Sequence, residues 1–489
     1  MNTSLYATTA ARSYRPISTP GAYGPVSTFN GAIKVIGNQL VDGAGNTLFM
    51  RGANYSGYEF AYATGALGYT DASGFQAGQA NGPKLSAMAS NWGMGIIRIP
   101  VNAGSWFGGV YYDINGNTVN MDPNNNYKTQ VIAQVNAAVT AGFYVIFDLH
   151  WINIGKVAPV GGQVTFPDIV NGPAFWTDAA NTFKNNPAVI FELFNEPIFY
   201  DWPSLRDGSI VPAFVAQQNG QGTGPVYDGD VFLYPITITS GTFTAGELFT
   251  STPTGGRVVY VDTTVSPNIA YLVTSNASVV TMPTLPTGTV ITGSTSHATA
   301  TTTGASTVHY AGYQVLLNAV RATGATNVCL IGGCYFSADL SGWLGAAPID
   351  PAPAGFVGTW TPQIGAVWHA YPDYSGPTYG NTGYGEPSFG AVSFTYAQGI
   401  MAGGYPLVIT ETGGSTNLGG GPATANNEPF CSNMATWCTT YNVTTTFWAW
   451  DIWAVPANAC ITDVNGTPTV GQGQVQKTWC NTYTTRYGT

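Results

Sequence analysis

Eight short apolar runs recur along this chain, most of them followed by an amphipathic stretch, and that alternation narrows the available folds more than any other feature. The runs are LFMRGAN (48–54), GIIRIPVN (95–102), FYVIFDLH (143–150), AVIFELFNE (188–196), NVCLIGG (327–333), GAVWHAY (365–371), PLVITE (406–411) and TTTFWAWD (444–451). Several are almost unbroken Val, Ile, Leu and Phe, the pattern of parallel strands buried on both faces. Helical spacing lies between them at 84–92, 127–141, 174–185, 309–323, 396–401 and 430–441. Eight strands alternating with helices predict an α/β protein, a (β/α)8 TIM barrel rather than an open sheet. Just upstream, KVIGNQLVDGAGN (34–46) reads as a hairpin with a Gly-Asn turn that plugs the barrel.

The alternation stops between about 205 and 306, where Thr, Ser, Gly, Pro and Val take over with strand-like spacing. Two segments there resemble each other at a shift of 42, TAGELFTSTPTGGRVV (244–259) and PTGTVITGSTSHATAT (286–301). The expectation is a small β-rich module inserted after the fourth strand, placed to wall or lid the mouth of the barrel. The chain then divides into a flexible tail (1–31), the first part of the barrel (32–204), the module (205–306) and the rest of the barrel (307–489).

Charge is scarce: 8% of residues are charged, against about 25% in ordinary soluble domains. With 14 Lys+Arg, 24 Asp+Glu and a net charge of −10, the chain has no basic run, which argues against nucleic acid or an anionic membrane as partner. No apolar stretch reaches the ~18 residues that span a bilayer. The opening residues lack the apolar core of a signal peptide and read as a trimmed start of a secreted, extracellular protein. Six cysteines form no CxxC pair, so a structural zinc site is not expected. Cys431 and Cys438 lie about 10 Å apart along one helix, too far to bridge. Cys460 and Cys480, in a loop-rich C-terminal stretch, are the favoured disulfide.

In a barrel, functional groups collect at the C-terminal ends of the strands. The groups found there are Asn54, Arg98, His150, Asn195 with Glu196, His369 with Tyr371, Glu411, and Trp448 with Trp450. Two carboxylates on opposite walls of a cleft are what glycoside hydrolysis requires, one to protonate the leaving oxygen and one to attack or activate water. Glu196 and Glu411 close the fourth and seventh strands, roughly opposite in an eight-stranded ring. Glu192 lies deeper and is expected to be buried and paired. Neither HExxH nor GxSxG spacing accompanies them, so no metal or organic cofactor is expected.

The runs LFMRGANYSGYEF (48–60), WGMGIIRIPVN (92–102), GFYVIFDLHW (142–151), NNPAVIFELFNEP (185–197), VWHAYP (367–372), PLVITETG (406–413) and FWAWD (447–451) resemble glycoside hydrolase family 5, in particular its bacterial endoglucanase (cellulase) branch. The resemblance covers about 32–451 apart from the insertion. It implies Glu196 as general acid/base and Glu411 as nucleophile of a retaining double displacement. It implies Asn195 on the sugar 2-OH, Arg98 lowering the pKa of Glu411, and Tyr371 donating to the same carboxylate. His150 and His369 would line the cleavage subsite. Trp450 would be the stacking floor there, with Trp448 as second choice. Tyr55, Trp106 and Trp151 are candidates for neighbouring sugars, and Glu59 has no assigned role. The expected partner is a β-glucan polysaccharide or oligosaccharide, bound by a monomer. Mannan, xyloglucan and mixed-linkage glucan remain open as substrates, as does a non-catalytic carbohydrate-binding protein.

Overall fold

The computed structural model describes residues 29–59, 84–108, 110–112, 118–120, 122, 125–152, 166–197, 201–212, 232–245, 247–251, 256–274, 285–371, 391–414, 428–451 and 459–482. Most of the predicted N-terminal tail lies outside them.

Eight parallel strands close into a barrel in chain order: β1 (Arg51–Asn54), β2 (Ile96–Asn102), β3 (Tyr144–Trp151), β4 (Val189–Glu192), β5 (Cys329–Gly332), β6 (Ile364–Ala370), β7 (Leu407–Thr412) and β8 (Thr444–Phe447). The ring closes where β8 pairs with β1. Flanking helices include α1 (Tyr127–Thr140), α2 (Asn171–Phe183), α3 (Gly312–Ala322), α4 (Ala391–Ala402), α5 (Glu428–Tyr441) and α6 (Gln472–Thr482). The (β/α)8 expectation holds. None of the described helices is long and apolar enough to cross a membrane.

Side chains alternate between the two faces of each strand. Outward residues such as Ile97, Phe147, Phe191 and Ile409 pack in one core with helix residues such as Val131, Trp176 and Leu316. Inward residues near the strand starts (Met50, Ile96, Ile146, Ile190, Leu330, Val367 and Val408) form a second core, closed from below by Ile33, Val35 and Leu40. The last two belong to the predicted hairpin, Lys34–Ile36 paired with Gln39–Val41. Gly52 occupies the tightest point of this ring: a Cβ there would sit 1.6 Å from the Ile96 carbonyl oxygen.

After β4 the chain enters an eight-stranded antiparallel sheet spanning Ser209 to Tyr310. Its outgoing strand Ser209–Pro212 pairs with its returning strand Thr307–Tyr310. The 42-residue self-similarity corresponds to two hairpins, Leu248–Thr250 with Gly256–Asp262 and Val290–Gly293 with Thr299–Thr302. They meet through their first strands, Phe249 opposite Gly293 and Thr250 opposite Thr292. Glu247 pins the junction by accepting from the Thr244, Thr295 and Ser296 amides and from the Ser296 hydroxyl.

Two expectations fail at the C-terminus. The stretch read as loop contains α6, which packs on α5 and carries Cys480. The expected Cys460–Cys480 disulfide is not formed; both are buried thiols. Burial pushes the Cys480 thiol up to about 12, so it remains protonated and unreactive.

Candidate active site

The same alternation that stacks aliphatic residues low in the barrel brings polar ones inward one step higher. Asn54 follows Gly52, Arg98 follows Ile96, Asp148 follows Ile146, and Glu192 follows Ile190; His369 follows Val367 and Thr410 follows Val408. Arg98 is the hub of this layer. Its Nε and Nη2 hold Glu192 Oε2 and Oε1 at 2.7 and 2.9 Å. Nη1 donates to Glu411 Oε1 at 2.5 Å and to Asn54 Oδ1 at 2.8 Å. Nη2 also meets Asn195 Oδ1 at 2.8 Å and Asp148 Oδ2 at 2.9 Å. Every guanidinium donor is used, as a fully buried Arg requires.

One guanidinium therefore faces three carboxylates. Burial opposes ionised Glu192, yet Arg98 and His369 hold its pKa below the ordinary value. Asp148 goes the other way: burial, with Glu192 nearby, raises it despite Arg98. Glu411 is also raised, by burial first; His369 and Arg98 pull it down, and Glu196 pushes it up again. The expectation that Arg98 lowers this pKa is correct for its own contribution. The net direction is corrected, because removing the carboxylate from water outweighs a cation shared three ways.

The two histidines diverge sharply. His150 donates from Nδ1 to Asp148 Oδ2 at 2.7 Å and accepts at Nε2 from Asn195 Nδ2 at 3.2 Å. Burial and then Arg98 push it down to about 3, so it is neutral. His369 points Nδ1 at Glu196 Oε1 (2.9 Å) and Nε2 at Thr410 Oγ1 (3.0 Å). Burial works against its charge, but Glu411, Glu192 and Glu196 around it raise it to about 10. It is an imidazolium with both N–H groups engaged. The Thr410 hydroxyl passes the contact on to Glu192 Oε1 at 2.9 Å.

At the rim, Tyr371 donates to Glu411 Oε2 at 3.1 Å. The Glu411 side chain is 5% exposed and that of Glu196 17%. One oxygen of each, with a ring nitrogen of His369, lie within 4.8 Å of one another. The site thus offers two facing carboxyl groups, one fixed by Arg98 and Tyr371 and the other by an imidazolium.

A family model described as "Cellulase (glycosyl hydrolase family 5)" matches residues 54–214 and 295–453. The chain belongs to glycosyl hydrolase family 5. The match skips 215–294, inside the inserted sheet. Endoglucanase B of Paenibacillus lautus is 34% identical over 110 residues, 22% of this chain and 17% of that relative's length. The β-glucanase SdGluc5_26A of Saccharophagus degradans in its native form superposes with a TM-score of 0.51 at 18% identity, covering 95% of this chain and 97% of that one. Cellulase Cel5C_n superposes with a TM-score of 0.50 at 14% identity, covering 96% and 98%. These likenesses show the fold. The end of the barrel that carries these groups is the candidate active site of this family 5 member.

All seven polar candidates (Glu196, Glu411, Asn195, Arg98, His150, His369 and Tyr371) meet in this one network. The aromatic candidates separate. Trp450 is 0% exposed, packed edge-on against Trp92 at 4.9 Å with Gly466 beneath it, so it is core and not a stacking floor. Trp448, two residues earlier, is half-buried and lies parallel to His150, centroids 5.5 Å apart and planes 9° apart. Trp106 is corrected as well. It sits among Phe147 and Phe175, and its Nε1 donates to Asp178 at 2.6 Å, which makes it helix–barrel packing. Tyr55 is buried, its backbone amide tied to the Arg98 carbonyl at 2.7 Å. Trp151 is half-buried at the end of β3, edge-on to His150.

Sequence reading missed Asp148 and Thr410, although the two-residue steps Asp148–His150 and Val408–Thr410 would have found them. It also missed a clamp on the loop carrying Glu196. Tyr335, Phe336 and Ser337 all have positive φ (49°, 57° and 57°), a costly run for non-glycine residues. That turn lets Ser337 Oγ donate to the Asn195 carbonyl at 2.7 Å and the Phe336 amide to the Pro197 carbonyl at 2.7 Å. Glu196 is thus held from both sides.

Proposed function

We propose that this chain is a retaining, endo-acting hydrolase of β-1,4-glucan that works by double displacement. One observation carries the reading: a carboxylate oxygen of Glu196 and one of Glu411 lie within 4.8 Å across the barrel mouth. Retaining glycosidases hold their carboxyl groups about 5 Å apart, whereas inverting ones leave room for a water, at about 6.5–9.5 Å. Glu196 protonates the glycosidic oxygen as the Glu411 carboxylate attacks the anomeric carbon, breaking the bond to the leaving sugar. Glu196, now a carboxylate, takes a proton from water. That water attacks the same carbon and releases Glu411.

The surrounding groups fit this division of labour. Arg98 and Tyr371 leave Glu411 no freedom to rotate away. His369 donates to Oε1 of Glu196, so Oε2 is the oxygen that carries the transferable proton. Asn195 spends Oδ1 on Arg98 and one N–H on His150, which leaves one N–H for a sugar hydroxyl. Trp448 presents the stacking face. A crystal structure of the Saccharophagus β-glucanase, of the same fold, holds cellotetraose, which supports a β-glucan oligosaccharide as ligand. The low charge content is consistent with work outside the cell.

The test is a polysaccharide panel assayed for new reducing ends with the wild type, Glu196→Gln and Glu411→Gln. Cellulose-type chains should be cut internally with retention of anomeric configuration. Glu196→Gln should lose about 10²–10⁴ in kcat and Glu411→Gln at least as much, both still binding oligosaccharide. Inverted product, or full activity in either variant, would refute the reading.

A further inference from the structure

At the opposite end of the barrel from the carboxylates, below the starts of β4, β5 and β6, lies a cavity of about 470 Å³. That is the size of a small-molecule site, and it plays no part in the chemistry above. One wall is aromatic: Trp360 and Phe356 meet edge to face at 5.1 Å, and Phe356 is 40% exposed. The Trp360 ring rests on the Arg321 guanidinium at 5.2 Å, which Asp350 fixes at 2.7 Å. Another wall is set by Gln363, whose side chain accepts from the Val35 amide at 2.8 Å. The walls are therefore formed before any ligand arrives, which removes much of the ordering cost of binding.

The charge of this cavity is the reverse of the chain's. Two of the six lysines, Lys34 and Lys184, border it, and no Asp or Glu is among the described residues that line it. Lys184 Nζ donates to Asn181 Oδ1 and to the Thr323 carbonyl, which leaves one of its three N–H groups available. Of the side-chain amides in the lining, Asn327 Nδ2 is spent on the Asn186 and Val189 carbonyls and Asn186 Oδ1 on the Ala188 amide, which leaves the Asn186 Nδ2 group for a hydroxyl. An aromatic wall matches the C–H face of a pyranose, and two bordering lysines with no carboxylate among the described lining residues match a negatively charged substituent. A neutral sugar gives no account of the lysines, and a bare anion gives none of the aromatic wall.

We propose that this cavity is a second saccharide site, which binds a uronate-bearing sugar and so anchors the enzyme on acidic wall polysaccharide away from its cleft. The inference does not depend on the cleavage reading. The test is calorimetric titration of the full chain with a β-linked oligosaccharide carrying one glucuronate, its neutral counterpart, and inorganic phosphate. The charged sugar should bind at least tenfold more tightly than the neutral one, and less tightly as salt rises. Phosphate should not displace it. Phe356→Ala and Lys34→Gln, both at exposed positions, should each weaken it fivefold or more and leave hydrolysis of a small chromogenic glycoside unchanged. Equal binding of charged and neutral sugars, displacement by phosphate, unaltered affinity in both variants, or no binding at all would overturn the proposal.

Discussion

The lower and upper halves of the barrel interior are built from the same strands with the same two-residue period, yet their energetics are opposite. Below, Ile96, Ile146, Ile190, Leu330 and Val408 meet with no polar atom to satisfy. Above, Arg98, Asp148, Glu192, His369 and Glu411 bring two cations and three carboxylates out of water. The lower layer gains free energy from burial; the upper one at best offsets its desolvation by saturating every donor. The comparison teaches where stability resides and where it has been given up for chemistry.

Arg98→Met breaks the contrast most severely. It strands three buried carboxylates, so the expected loss is about 3–5 kcal/mol of stability, along with activity, read by denaturant melts and kcat. Wild-type stability in this variant would mean that the network is held by other groups. Ile190→Ala in the lower layer should cost about 2–5 kcal/mol yet leave kcat unchanged below its melting point. A matching fall in kcat would erase the distinction between the halves.

Ser337→Ala removes one neutral hydrogen bond behind Asn195, worth about 1 kcal/mol. Here kcat should fall several-fold with KM little changed, and Ser337→Thr should restore part of it; a purely structural bond would shift only the melting point. Glu59→Gln carries the comparison to pH. Glu59 is buried against Ser56 and the Gly57 amide, and burial raises it to about 8 from an ordinary 4.5. Between those values the folded state keeps a proton that the unfolded chain releases, so stability falls as pH rises, by at most about 1.4 kcal/mol per pH unit. The Gln variant should show a flatter melting profile from pH 5 to 8.

How much of this was legible beforehand follows from which signals are local. The strands were readable because runs such as GIIRIPVN and FYVIFDLH are too apolar to lie anywhere but between helices and a barrel core. Glu196 and Glu411 were readable because strand ends all point to one face. The tryptophans were not. Trp448 and Trp450 lie two apart, beyond the regular part of β8, and only tertiary packing against Trp92 decides which one is covered. Trp106 follows a strand end as a rim platform would, but the next helix turns it under Phe175. Helix α6 escaped notice because few of its residues are apolar and its register hangs on Val475, Trp479 and Cys480. The net pKa of Glu411 depends on how many carboxylates share one arginine, which no motif records.

The side-by-side pairing of Ser209–Pro212 with Thr307–Tyr310 makes the whole inserted sheet, topologically, the oversized tip of one hairpin. A tip of this kind can lengthen, shrink or be exchanged while the two stems stay zipped, so the barrel never registers the change. Natural variation at this point is therefore free to tailor the enzyme's outer shape without reopening the problem of how its catalytic half folds.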